Sequence, residues 1–290
     1  MNLIKTSFSK PFLTIEQQLN QLKSRGMNFY DESKAKYYLE NLNYYRLSGY
    51  WLLFEKNHDT HKFNKNTYFE EVLNLYIFDR ELRLLLLDAI ERIEVSIRSK
   101  LAYILAQNFG SHAHLKPEIF ASYPKYEKTL TKLKAEIHRN KSEIFIKHHL
   151  DKYNEDLPPI WVSVEVMTMG QISSWYSNIK DRQYKQMIAK YYDLDEKILS
   201  SFLHHLTIVR NTSAHHSRVW NKRFTIDFVL PKFPKQLNSQ FNLSSKKYIY
   251  NTLVMCEYLL NIISENNCWK ENLDNLIKKH KINTKRMGFK

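Results

Sequence analysis

The sequence predicts an all-α protein, and three observations support this fold class. Only 5 glycines and 7 prolines, the residues that most often interrupt helices, occur in 290 residues. Apolar residues recur every three or four positions over long stretches, which is the period of amphipathic helices. Polar residues suited to N-capping precede several of these stretches. With 43% hydrophobic residues, the chain can form a packed core in one large domain or two ordinary ones.

Two short helices are predicted near the N-terminus. Thr14 suits the N-cap of the first, with Gln17 at the capping-box offset, and Gly26 ends it. Asp31 suits the N-cap of the second. Two helices around a glycine turn could form a DNA-binding helix-turn-helix, but acidic residues lie beside the lysines of the second helix. A packing role is therefore favoured over a DNA-binding regulator.

The strongest helical pattern runs from Thr67 to Asn108, with a possible bend near Asp79. Glu94 and Arg98 lie outside its apolar stripe, four residues apart, and they form either a solvated ion pair or part of a cleft. The stripe itself consists of Leu82, Leu86, Ala89, Ile93, Ile97, Leu101 and Ile104.

The rest of the chain is predicted to be mostly helical. Aliphatic residues occupy every second position over 160–166, a pattern that also fits a strand. The preceding proline pair favours the start of a helix instead, and Gly170 would end that helix. Asp195 would cap a helix leading to Arg210. The other predictions are a basic helix over 126–147, a helix over 173–192, a loop over 224–243, a core helix over 244–265 and a frayed tail from 267. The predicted domains are an N-terminal helical subdomain (1–65), a helical domain (66–266) with a basic insertion near 116–153, and a basic C-terminal tail (267–290).

The net charge of +14 is concentrated in three segments. Residues 116–153 carry nine Lys/Arg against five acids, residues 210–247 eight against one, and residues 270–290 seven against two. Such blocks suit a polyanionic partner, because contacts with phosphates release counterions. The alternative is that these lysines only solvate the surface.

Several function classes have no support in the sequence. Cys256 and Cys268 form no CxxC or zinc pattern, and no P-loop, GxGxxG, HExxH or GxSxG occurs. We therefore expect no metal and no cofactor. No apolar segment resembles a signal peptide or reaches the ~18 residues of a membrane span. We expect a soluble cytoplasmic protein without a membrane partner.

The segment 210–221 is the richest in residues suited to chemistry. Arg210 can hold phosphoryl oxygens, and His215 can transfer protons near neutral pH. On a straight helix the two would point about 140° apart, so they converge only if the chain bends or two copies meet. The Asn-Thr-Ser at 211–213 suits such a bend. The alternative is a salt-bridged arginine and structural histidines.

Arg210 to His215 has an R-x4-H spacing, in the form R-N-x-x-x-H. Further distinctive segments occur at residues 11–18, 42–51, 78–83, 91–94, 98, 158–161, 165, 170 and 210–221. In these segments, over roughly residues 10–265, the chain resembles the Abi_2 (AbiD/AbiF-like) abortive-infection family of the HEPN ribonuclease superfamily, whose ribonucleases usually carry the R-N-x-x-x-H motif.

This resemblance implies a metal-independent endoribonuclease acting in abortive infection or as a toxin with an antitoxin, protein or small RNA. It also implies a homodimer in which two motifs form one site. His215 would be the acid/base and Arg210 would stabilise the phosphorane, with Asn211 orienting one of them or holding phosphate. The supporting candidates are His216, Asn221, Glu94 and Arg98, and the RNA-contacting candidates are Arg218, Lys222 and Arg223. The alternative function is a non-catalytic RNA-binding or phage-sensing protein.

Overall fold

The all-α prediction is confirmed by a computed structural model, which describes residue 7 and residues 10–290. Among these residues there are thirteen α-helices and one two-stranded hairpin. The chain divides into two compact units, the first ending at Arg80 and the second beginning at Glu81. The domain boundaries proposed from the sequence at residues 65 and 266 stay predictions.

The first unit contains the two predicted N-terminal helices with their caps. The Thr14 hydroxyl accepts from the Gln17 N–H at 3.3 Å while the Gln17 side chain accepts from the Thr14 N–H at 2.9 Å, and Asp31 accepts from the Lys34 N–H at 2.9 Å. A small antiparallel hairpin was not predicted, because its strands are too short to show an alternating pattern. The elements are α1 (Ile15–Ser24), α2 (Glu32–Leu42), α3 (Tyr44–Trp51), β1 (Glu55–Asn57), β2 (Lys62–Phe63) and the start of α4 (Phe69–Phe109).

Helix α4 confirms the strongest sequence pattern, since it is one helix of 41 residues. All seven apolar residues of the predicted stripe are buried in the second unit. The helices that follow are α5 (Tyr123–Arg139), α6 (Ile144–Lys152), α7 (Ile160–Ser163), α8 (Met169–Asn178), α9 (Arg182–Lys190), α10 (Glu196–Ala214), α11 (Lys235–Gln240), α12 (Tyr250–Ile263) and α13 (Trp269–His280).

Between residues 126 and 192, three of the predicted helix boundaries were wrong. The basic helix is two helices, α5 and α6. Helix α5 ends at Arg139 and is capped by Asn140, which donates to the Glu136 carbonyl through both its backbone and its side chain. The predicted helix over 173–192 is likewise divided into α8 and α9. Gly170 does not end a helix but lies in the first turn of α8, within a Thr168–Gln171 capping box of the same kind as Thr14–Gln17.

The C-terminal residues are part of the core, contrary to the expectation of a frayed tail. Trp269 is 2% exposed, and its Nε1 donates to the Leu85 carbonyl on α4 at 2.8 Å. Leu273 and Met287 are also buried. The predicted loop over 224–243 contains the short helix α11, and the core helix α12 begins at Tyr250 rather than Ser244. Apolar residues spaced among the lysines explain this, because only one face of α13 is basic.

Candidate functional site

Helix α10 positions the Arg210–His215 motif. As predicted, Asp195 caps its N-terminus by accepting from the Lys197 N–H at 2.9 Å. A buried apolar face, which includes Leu199, Phe202, Leu206 and Val209, fixes the rotation of the helix in the second unit. That rotation leaves Arg210 half-buried and places Asn211 and His215 at the surface.

The predicted bend between Arg210 and His215 is absent. Helix α10 continues to Ala214, and the His215 N–H donates to the Asn211 carbonyl at 3.0 Å. The Asn211 side chain does not compete for the backbone, because its oxygen accepts from Arg210 Nη1 at 3.2 Å. Within one chain, Arg210 and His215 therefore point about 140° apart around the helix axis.

The helix ends immediately after the motif in a Schellman arrangement. The Ser217 N–H donates to the Thr212 carbonyl at 3.0 Å and the His216 N–H to the Ser213 carbonyl at 3.1 Å. His216 occupies the left-handed position with φ of 57°, where glycine is usual. The chain thus reverses direction at His216, so His215 and His216 leave the helix end in different directions.

The exposed groups of the motif can carry phosphate chemistry. His215 is exposed, and its imidazole makes no hydrogen bond to any described residue. Asn211 accepts a hydrogen bond from one guanidinium nitrogen of Arg210 and so orients the group. Most of the five N–H donors of the guanidinium can still bind another acceptor. A guanidinium and an imidazole without a hydrogen bond thus lie about one and a half helical turns apart on α10.

The segment after the helix is anchored by apolar side chains. Val219, Trp220 and Phe224 are buried, and the Phe224 N–H donates to the Lys247 carbonyl at 2.8 Å. Around these anchors, Arg218 and Lys222 are partly exposed and Arg223 is exposed. The Nζ atom of Lys222 lies 5.9 Å from the centre of the Phe224 ring. This arrangement presents cations beside the motif.

Asn221 is half-buried, and its side-chain oxygen is enclosed without a hydrogen-bond partner among the described residues. A buried unpaired acceptor is costly unless a donor completes it. The residue therefore has a hydrogen-bonding capacity that packing within the described chain does not use.

Glu94 and Arg98 form a pair that connects elements of the second unit. Their side chains are 13% and 17% exposed, and Arg98 also donates to the carbonyls of Glu165 and Met167. The pair thus fixes the segment that leads into α8. Neither residue makes a hydrogen bond or ion pair with Arg210 or His215 within the described chain.

The remaining histidines and aromatic residues divide into core and surface. His205 is 1% exposed and bonds the Ile226 carbonyl at 2.7 Å and the Thr252 hydroxyl at 2.8 Å, and burial lowers its pKa. It is structural, while His204 is exposed. Trp51 is buried, whereas Tyr45 and Trp161 are 85% and 51% exposed.

A groove on both sides of α8 was missed by the sequence reasoning. It is lined by lysines of α5 and by polar residues of α8 and α10, including His204. The spacing of Lys125, Lys128 and Lys132 could have revealed the basic face, since they share one side of a helix. Nothing in the sequence places that face opposite α8.

None of the described helices combines the length and apolar character required to cross a membrane. A family model described as an Abi-like protein, Abi_2, matches residues 37–221, which is well over half of the chain and includes the whole motif. No curated protein and no solved structure matches the chain.

Proposed function

The chain belongs to the Abi-like family Abi_2, which suggests abortive-infection defence against phage, and from this we propose that it is a HEPN-type, metal-independent endoribonuclease toxin. One observation carries the proposal: Arg210 is oriented by Asn211, and the unbonded imidazole of His215 lies at the adjoining helix end. A toxin of this kind would be held in check by an antitoxin, either a protein or a small RNA.

The proposed reaction uses the nucleophile of RNA itself. The 2′-hydroxyl attacks the adjacent phosphorus, its proton passes to His215, and the 5′-oxygen leaves with a proton from an acid. Arg210 stabilises the negative charge that develops on the phosphoryl oxygens. The products carry a 2′,3′-cyclic phosphate and a 5′-hydroxyl.

The straight helix supports a homodimeric site. Arg210 and His215 diverge by about 140° on one helix, and one imidazole cannot be both base and acid in a single in-line step. Two copies related by a twofold axis would bring two motifs together, because such an interface uses the same surface twice. We place the 210–221 segments of both copies at that axis.

Incubation of the purified protein with labelled RNA in EDTA tests the activity. His215→Ala should reduce cleavage by about 10²- to 10⁴-fold, the usual contribution of a positioned acid/base. Arg210→Ala should reduce it by about 10²- to 10³-fold, the usual contribution of a group that stabilises charge in the transition state. His216→Ala should have a milder effect, because His216 leaves the helix end in another direction, and the exposed His138→Ala is the control. Full cleavage by a folded His215→Ala protein would refute the assignment.

Mixed dimers test the shared site. Arg210→Ala protein combined with His215→Ala protein should regain part of the activity if the arginine and histidine of one site come from different chains. Light scattering gives the mass under the assay conditions. A monomer with full activity would contradict the dimer.

A further inference from the structure

The groove that flanks α8 is lined by several lysines. It consists of two adjoining parts, of about 660 and 650 Å³, which lie on either side of α8. Lys125, Gly170 and Ser174 line both parts, so the two form one continuous surface. We call this surface the α8 groove.

Its charge is positive because the acids within it are already neutralised. Glu136 pairs with Arg139 at 2.8 Å, and Glu196 pairs with Arg182 at 3.2 Å and Lys185 at 3.5 Å. The cations that remain are Lys125, Lys128, Lys132 and Lys197, none of which has an ion pair within the described residues. Burial lowers the pKa of Lys125, and no carboxylate compensates for it. An anion in the groove would restore the stability of that ammonium.

The groove also presents hydrogen-bond donors. Gln171 is 5% exposed and lines the groove, and its side-chain oxygen accepts from the Thr168 N–H at 2.7 Å. Its Nε2 is buried with no acceptor among the described residues. Lys125 Nζ is held by the Ser177 hydroxyl at 2.7 Å. An enclosed donor without an acceptor, at the positive N-terminal end of α8, suits a phosphate oxygen.

The groove continues toward the proposed catalytic residues along α10. Lys197 and His204 line it, and Asn211 and His215 follow on the same side of α10 within about 40°, since each residue turns the helix by about 100°. From His204 to His215 the helix advances about 16 Å. A strand lying in the groove along α10 is thereby directed to His215.

We propose that the α8 groove binds the phosphodiester backbone of single-stranded RNA and guides the strand to His215, with Lys128, Lys132 and Gln171 as phosphate contacts. The choice of RNA rests on the proposed function, whereas the phosphate recognition follows from the donors and charges of the groove. Because the contacts go to the backbone, binding has little dependence on base sequence.

Two variants remove the proposed contacts. Lys128→Gln/Lys132→Gln changes two exposed side chains, and its control, Lys34→Gln/Lys65→Gln, removes the same charge from exposed residues of the first unit. Gln171→Glu keeps the oxygen that caps α8 but removes the donor and adds a negative charge. Gln17→Glu is its control, because Gln17 has the same capping-box position in α1.

The probe is a fluorescein-labelled 2′-O-methyl RNA strand, which binds but cannot be cleaved, and the readout is anisotropy from 50 to 200 mM salt. The slope of log K against log salt is negative, and the Lys128→Gln/Lys132→Gln variant should reduce its magnitude by about 1.4. Each phosphate contact with a single strand contributes about 0.7 to that magnitude. Gln171→Glu should weaken binding about tenfold, the value of a hydrogen bond to a charged group. Both controls should bind like the unchanged protein.

Unchanged affinity and slope in the lysine pair would overturn the proposal, even if Gln171→Glu proved unstable. No RNA binding by the unchanged protein would also overturn it. Binding that depends on the groove in a protein that cleaves no RNA would support the groove and refute the ribonuclease. RNA cleavage by a protein whose RNA binding does not depend on the groove would support the ribonuclease and refute the groove.

Discussion

His114 should make the stability of this protein depend on pH in a range where surface histidines have little effect. Its side chain is 0% exposed and lies 6.2 Å from the Trp175 ring and 5.8 Å from the His112 ring, measured between centroids. Burial, aided by the nearby His112, lowers the pKa of His114 to about 4, and the Pro158 carbonyl opposes this only in part. Neither ring nitrogen has a hydrogen-bond partner of good geometry within the described residues.

The direction of the effect follows from proton binding. Between pH 6.5 and 4 the unfolded chain binds a proton at His114 that the folded chain does not, so stability falls as the pH falls through this range. The lowering of the His114 pKa from 6.5 to about 4 corresponds to a total loss of about 3 kcal/mol in the free energy of unfolding, at 1.36 kcal/mol per pH unit. Of this, about 2 kcal/mol is lost by pH 5.

Urea unfolding at pH 7.5 and pH 5.0, followed by circular dichroism, measures this loss. His114→Phe replaces the imidazole by a ring that cannot bind a proton, so it should lose about 2 kcal/mol less than the unchanged protein on acidification. His138→Phe, at an exposed position of α5, should behave like the unchanged protein. An equal loss in His114→Phe and the unchanged protein would refute the reasoning.

Two further predictions concern the packing of the second unit. Trp269→Ala should destabilise the protein by about 3–5 kcal/mol in urea unfolding, because it empties a core position against α4, whereas Trp161→Ala at the surface should cost under about 1 kcal/mol. Equal losses of stability in Trp269→Ala and Trp161→Ala would mean that the packing of α13 contributes little to the free energy of unfolding. Arg98→Ala should cost about 3 kcal/mol, since it leaves the Glu94 carboxylate enclosed without its cation. Arg92→Ala breaks the more exposed pair with Asp88 and should cost at most about 1 kcal/mol in the same assay. A loss for Arg98→Ala no larger than this would contradict the structural role of the pair.

The features that the sequence determined by itself are local ones. Thr14, Asp31 and Asp195 cap helices as predicted, because a capping side chain acts within three residues of its own position. The apolar stripe of α4 was evident because the helical period repeats over many turns. The types and spacing of Arg210 and His215 were likewise enough to make them candidates, and their roles stay predictions.

What only the tertiary structure decided depends on contacts between elements distant in the chain. The Asn-Thr-Ser at 211–213 suits a bend, yet the Asn211 side chain bonds Arg210 and the helix stays straight to Ala214. The sequence from Asn267 onward is typical of a basic tail. In the structure, however, Trp269 Nε1 donates a hydrogen bond to the carbonyl of Leu85, which lies 184 positions earlier in the sequence. The α8 groove arises in the same way, because α5, α8 and α10 must pack before Lys125, Gln171 and His204 can line one surface. Local pattern fixes a helix and its faces, whereas the side chains that face one another are set by packing over the whole unit.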